Sequence, residues 1–110
     1  MHAGSVGNAV FKVDRFVVPA VAREEFLERA RAIRDFLDTQ EGCLKNVVLE
    51  QAGEADSSNV ITIVEWRDAE AFAKARAAAA ARYAATGFKP EELIARLGIK
   101  AEIANYGLVA

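Results

Sequence analysis

The sequence predicts a single α+β domain of the split β-α-β kind, with a four-stranded antiparallel sheet and two main helices on one face. Three observations predict this. Four stretches are rich in β-branched and aromatic residues, two longer stretches carry apolar residues at helical spacing, and their order is β-α-β-β-α-(α)-β. At 110 residues the chain buries one real core and has no room for a second, so residues 9–110 are expected to form one domain behind a loose lead-in over 1–8.

The first strand is expected over Val10–Val18, where Phe11, Val13, Arg15 and Val17 alternate with Lys12, Asp14, Phe16 and Val18. Pro19 lacks the N–H that a ladder needs and closes it. From about Ala22 the period changes. Phe26, Ala30, Ile33 and Leu37 form one helical stripe, and Glu24 and Glu25 sit in the first turn, where the helix dipole favours carboxylates. Gly42 ends that helix. Leu44–Gln51 and Asn59–Trp66 read as two further strands, joined by an exposed loop over Ala52–Ser58. Asp68 is a good N-cap for the alanine-rich helix Ala69–Ala85, whose stripe is Phe72, Ala75, Ala79 and Tyr83. Its run of five alanines, Ala77 to Ala81, is expected to let the helix lie close to the sheet, and Gly87 stops it. Pro90 opens a short helix that Gly98 ends, and Ile99–Val109 is the last strand, with Asn105 or Gly107 marking a bulge.

Composition excludes several function classes. Apolar residues make up 53% and charged residues 27%, with net charge −2 and no block of one sign, so neither nucleic acid nor an acidic membrane surface is invited. One cysteine, Cys43, excludes an intrachain disulfide and suits a reducing compartment. No apolar run approaches the roughly 20 residues that span a bilayer, and the start lacks the plan of a signal peptide, so the cytoplasm is expected. No metal cluster, phosphate loop, dinucleotide fingerprint or Ser-His-Asp set is visible; Gly4 to Gly7 precedes a strand rather than a helix. The lone histidine, His2, falls in the lead-in.

Two helices cover only one face of such a sheet. Whichever face of the third strand is left open carries either Ile61 and Ile63 or Thr62, Val64 and Trp66, too apolar to be left wet. A homodimer formed through the open face solves this. The plainer solution is that the short third helix and the last strand fold over it.

The junction Glu65-Trp66-Arg67-Asp68-Ala69-Glu70-Ala71-Phe72 is the strongest element of a pattern that also includes strand one running into Pro19, Glu24-Glu25-Phe26 and Gln40-Glu41-Gly42-Cys43. Over about residues 9–108 this pattern resembles the antibiotic biosynthesis monooxygenase family. The resemblance implies a ferredoxin-like fold, a dimeric α/β barrel and a cavity in each protomer. Some members oxidise polyketide quinols or anthrones with molecular oxygen and neither metal nor flavin, which implies no cofactor here. Others degrade heme with an Asn on the first strand and a Trp and a His on the second long helix. At the matching places this sequence carries Asp14 and residues near Ala75 and Ala85, so it departs from that branch.

Lys12 and Asp14 are the candidate catalytic pair: on an enclosed face, the carboxylate can take a phenolic proton and the amine can help hold the hydroxyl. The plainer fate is that the two pair with each other. Candidate lining residues for a small aromatic ligand are Phe16, Asn46, Glu65, Trp66, Tyr83, Phe88 and Tyr106. Trp66 equally reads as core under a helix, Tyr83 as ordinary packing, and Glu65 as the partner of an arginine. Arg15 faces away from Asp14, and periodicity leaves open which of them meets the helices. Cys43 has no histidine to activate it and reads as inert. The expected activity is cofactor-independent oxidation of an aromatic or quinol-type compound; the alternative is a non-catalytic dimeric module for small-ligand binding or stress response.

Overall fold

The structure, a computed structural model, describes residues 8–52 and 56–109. Most of the expected lead-in, His2, the glycines at 4 and 7, and the centre of the expected 52–58 loop therefore lie outside the described residues. The elements are β1 (Val10–Pro19), α1 (Arg23–Asp38), β2 (Cys43–Ala52), β3 (Ser57–Trp66), α2 (Ala69–Thr86), α3 (Pro90–Arg96) and β4 (Lys100–Gly107).

Each boundary has a local cause. β1 ends at Pro19, and a short 3-10 turn over Ala20–Ala22, anchored by the Ala20 N–H donating to the Asp56 carbonyl at 2.7 Å, leads into α1. Asp68 caps α2 by accepting from the Ala71 N–H at 2.8 Å. Gly87 closes α2 at φ +74°, a left-handed conformation that glycine adopts without cost.

Every neighbouring pair in the sheet is antiparallel, and the strand order is β2-β3-β1-β4. With both long helices on one face, this is the ferredoxin-like split β-α-β arrangement. The even-numbered residues of β1 and β3 face the helices: Val18 and Val60 are fully buried and Trp66 is 2% exposed. Phe11, Val13 and Arg15, with Ile61 and Ile63 beside them, occupy the open face.

Two expectations about detail are corrected. The last strand holds an unbroken register with β1 from Val17↔Lys100 to Val10↔Gly107, so neither Asn105 nor Gly107 is a bulge. The irregularity lies instead in β2 between Cys43 and Lys45, where the chain emerges from the turn at Gly42. The alanines that approach the sheet are Ala71 and Ala75, at 3% and 2% exposure; Ala77 and Ala81 are exposed. Only the first half of α2 lies over the strands it follows.

The apolar core under the helices is divided. One cluster joins Val18, Ala22, Phe26, Leu27, Val60 and Ile99, with Ile94 and Leu97 packed against it from around α3. The other joins Val64, Trp66, Ala71 and Ala75, with Val10, Leu37 and Phe72 beside them. Because α3 packs on the helix-side cluster, it does not fold over the open face, and β4 extends the sheet at its edge. The open face keeps its apolar centre.

Candidate functional site

Between the two apolar clusters, the helix side of β1 carries Lys12 and Asp14 where the pattern would otherwise supply valines. Asp14 is 7% exposed on a central strand, with Thr62 opposite it on β3 and Ile103 opposite it on β4. Lys12 has Val64 and Asn105 as its opposite partners. The Lys12 ammonium donates to Asp14 Oδ2, as strand charges commonly do. Asp14 Oδ1 is buried and has no hydrogen-bond partner among the described residues. A second orphan lies on the same face: Trp66 Nε1, a donor with no acceptor among the described residues, on a ring packed 6.5 Å from Phe72. The indole is core under a helix, yet its polar atom is unpaired.

Other candidates on this face are engaged in packing. The Asn46 amide donates to the Arg34 carbonyl at 2.8 Å and to Asp38 Oδ1 at 3.0 Å, tying β2 to the last turn of α1. Phe16 packs on Phe26 at 4.9 Å between ring centres.

The remaining candidates lie elsewhere. Glu65 and Tyr106 share a row with Phe11 on the open face, on the far side of the sheet from Asp14. Adjacent strand residues point oppositely, so Glu65 and Trp66 cannot line one space. Among the described residues Glu65 forms no ion pair with an arginine. Tyr83 and Phe88 meet edge-on at 5.2 Å, and Arg29 stacks over Phe88 at 3.9 Å. Phe88 and Arg29 border a groove of about 640 Å³ between α1 and the α2–α3 connection. Burial pushes the Tyr83 phenol upward, against the pull of Arg29 and Arg82. A second depression of about 480 Å³ lies at one end of the sheet and includes Arg15, Leu49, Ile61 and Glu102. Burial, with Asp38 nearby, raises the Cys43 thiol's pKa, which suits an inert side chain.

Thr62, Ile103 and Asn105 are the neighbours of the Lys12–Asp14 pair that sequence reasoning missed. Their positions follow from cross-strand register, and register is set by turns and pairing rather than by any local pattern. Chemically, the seam offers an acceptor at Asp14 and a cation at Lys12; the Trp66 donor lies on the same sheet face but in the neighbouring cluster, two rows beyond the Asp14–Thr62 pair.

The comparisons agree with this architecture. A protein from Shewanella loihica PV-4 superposes with a TM-score of 0.68 at 24% identity, over 94% of this chain and 96% of that one. SnoaB, a cofactor-independent oxygenase from Streptomyces nogalater, does so with a TM-score of 0.59 at 24% identity, over 94% and 95%. Rv0793 from Mycobacterium tuberculosis gives 0.64 at 16% identity, over 93% and 96%. These likenesses establish the fold. None of the curated proteins matches the chain. The family model described as antibiotic biosynthesis monooxygenase matches residues 9–86, most of the chain, and the protein belongs to the antibiotic biosynthesis monooxygenase family.

Proposed function

We propose that this protein is a cofactor-independent monooxygenase acting on a small aromatic or quinol-type compound held in the polar seam under the helices. The observation that carries the reading is Asp14: a buried carboxylate on a central strand, anchored through one oxygen and unpaired at the other. Leaving such an atom unsatisfied costs about 1–3 kcal/mol, which an arriving hydroxyl recovers. In this reading Asp14 accepts the phenolic proton, and Lys12 holds the carboxylate in place and offsets the negative charge left on the substrate. The electron-rich anion then reduces dioxygen; one oxygen atom enters the ring carbon and the other leaves as water. Family membership supports the reaction class, and SnoaB supplies a cofactor-independent oxygenase of the same fold.

In this reading the working unit is a homodimer joined through the open sheet face, whose apolar centre would otherwise be left wet; members of the family are typically dimeric. Four strands make a footprint of roughly 500 Å² there, of the same order as the ~800 Å² that each partner contributes to a standard interface. The proposed location is the cytoplasm, and no described helix is long and apolar enough to cross a membrane.

A second reading, a non-catalytic dimeric module for small-ligand binding or stress response, is favoured by the closed Lys12–Asp14 pair. One experiment separates the two. Oxygen uptake by the purified protein is followed with a panel of quinols and anthrones, alongside Asp14→Asn. The enzyme reading expects turnover that falls about a hundredfold or more in the variant, the usual scale of general-base loss, with the fold intact. Binding without oxygen uptake would leave the module reading, and neither binding nor uptake would remove both.

A further inference from the structure

On the reading just proposed, a ligand has to reach a carboxylate that is 7% exposed. We propose that it enters over Ile103 on the edge strand β4, and that Asn105 positions it by binding a second ligand oxygen.

The other sides of the seam are occupied. Toward β2, Asn46 bonds the last turn of α1 and closes the gap between strand and helix. Along the strands, the Trp66–Phe72 contact blocks one end and Phe16–Phe26 the other. The side toward β4 differs. Register places Ala101, Ile103 and Asn105 opposite Phe16, Asp14 and Lys12, on the helix side of the sheet. All three are exposed, and Ile103 is 60% exposed although it occupies the face that the helices cover elsewhere. The limit of burial therefore runs between β1 and β4. The Lys12 side chain, 32% exposed, lies on this limit. Directly opposed side chains in an antiparallel pair stand about 5 Å apart, so Ile103 is the first group that an incoming molecule passes before Asp14.

Asn105 supplies the second contact. It is opposite Lys12 and diagonal to Asp14, a relation that separates side-chain origins by about 7–8 Å. A ring with an oxygen at each end fits between them, one oxygen on Asp14 and the other on the amide. An amide both donates and accepts, so it can hold a hydroxyl or the carbonyl that oxidation leaves. Asn105 is a positioning residue here, not a proton carrier.

Anaerobic calorimetric titration with menadiol and with naphthol tests this, since the two probes differ chiefly in the second oxygen. The wild-type protein is expected to bind menadiol about tenfold more tightly, the value of one good hydrogen bond. Asn105→Ala should bring menadiol down to the naphthol level without changing naphthol. Ile103→Trp, which fills the doorway, should weaken both probes by about tenfold or more with an unchanged unfolding midpoint, while Ile103→Ala binds both. Undiminished binding in Ile103→Trp overturns the doorway and leaves the proposed activity standing. Equal affinity of the two probes for the wild type, or an Asn105→Ala variant that still prefers menadiol, overturns the two-oxygen assignment. A wild-type protein that binds neither probe removes this inference together with the reading on which it rests.

Discussion

Gly42 sits at φ +86°, a left-handed backbone that side-chain-bearing residues adopt at a cost of roughly 1–2 kcal/mol. A Cβ at this position would stand 2.5 Å from Ala71 Cβ, on the buried first turn of α2. The Gly42 carbonyl also accepts from the Arg67 N–H at 2.8 Å, so the α1–β2 turn and the start of α2 are pressed together here. Gly42→Ala combines backbone strain with overpacking, and is expected to destabilise the fold by about 3 kcal/mol. Urea unfolding followed by the fluorescence of Trp66 measures it, and a loss below about 1 kcal/mol would show that the turn relaxes freely. That glycine ends α1 is legible in the sequence. That it also makes room for Ala71, some thirty residues away, is not, because the constraint is a contact between distant segments. Asp14 shows the same division. Alternation puts it on the same side as Lys12 and anticipates the bond between them, but its burial and its Oδ1, unpartnered among the described residues, follow from which side the helices cover.

At the scale of elements, α1 is held to β2 by a paired contact. Arg23 donates to both Glu50 oxygens, Nε to Oε2 at 2.7 Å and Nη2 to Oε1 at 2.8 Å. That contact pulls the Glu50 pKa down to about 2 from an ordinary 4.5. A depressed carboxylate pKa contributes stability that is complete above the unfolded value and is lost as protons reach the folded group. The unfolding midpoint is therefore expected to drop between about pH 4.5 and pH 2, and Arg23→Ala should flatten that part of the profile. An identical slope in the variant would assign the acid sensitivity to other groups. The helices and strands themselves are legible from periodicity and caps: Asp68 bonds the Ala71 N–H as a capping aspartate should. Strand ends differ from expectation by one or two residues, because pairing across the ladder carries β2 out to Cys43 and Ala52 and β3 back to Ser57, where local patterns fade. The bulge expected in β4 fails for a related reason. Asn105 and Gly107 look like breakers one at a time, yet the long straight pairing with β1 holds both in register.

For the whole molecule, the open face is the feature of greatest consequence. Val13 and Ile63 pair at its centre, and Ile61 and Val47 flank them, while Arg15, Glu102, Lys45 and Glu65 bring charge to the two neighbouring rows. Ile63 makes no part of either helix-side cluster. Ile63→Glu should accordingly leave the protomer folded and weaken self-association by a hundredfold or more, about 3 kcal/mol or above. Sedimentation velocity beside circular dichroism reads both quantities; a dimer that survives the charge would mean that the copies meet through another surface.

Local pattern was enough to establish the elements, their order and the pairing of Lys12 with Asp14 on one side of a strand, since each depends on residues within a few positions of one another. It also revealed that one sheet face would be left too apolar for water. Which side the helices take, how β4 lines up against β1, and therefore that Glu65 and Tyr106 look away from Asp14 while Ile103 and Asn105 stand beside it, emerged only on folding. The reason is geometric. Strand periodicity distinguishes two faces without naming them, and the names are assigned by long-range packing that no short window of sequence contains.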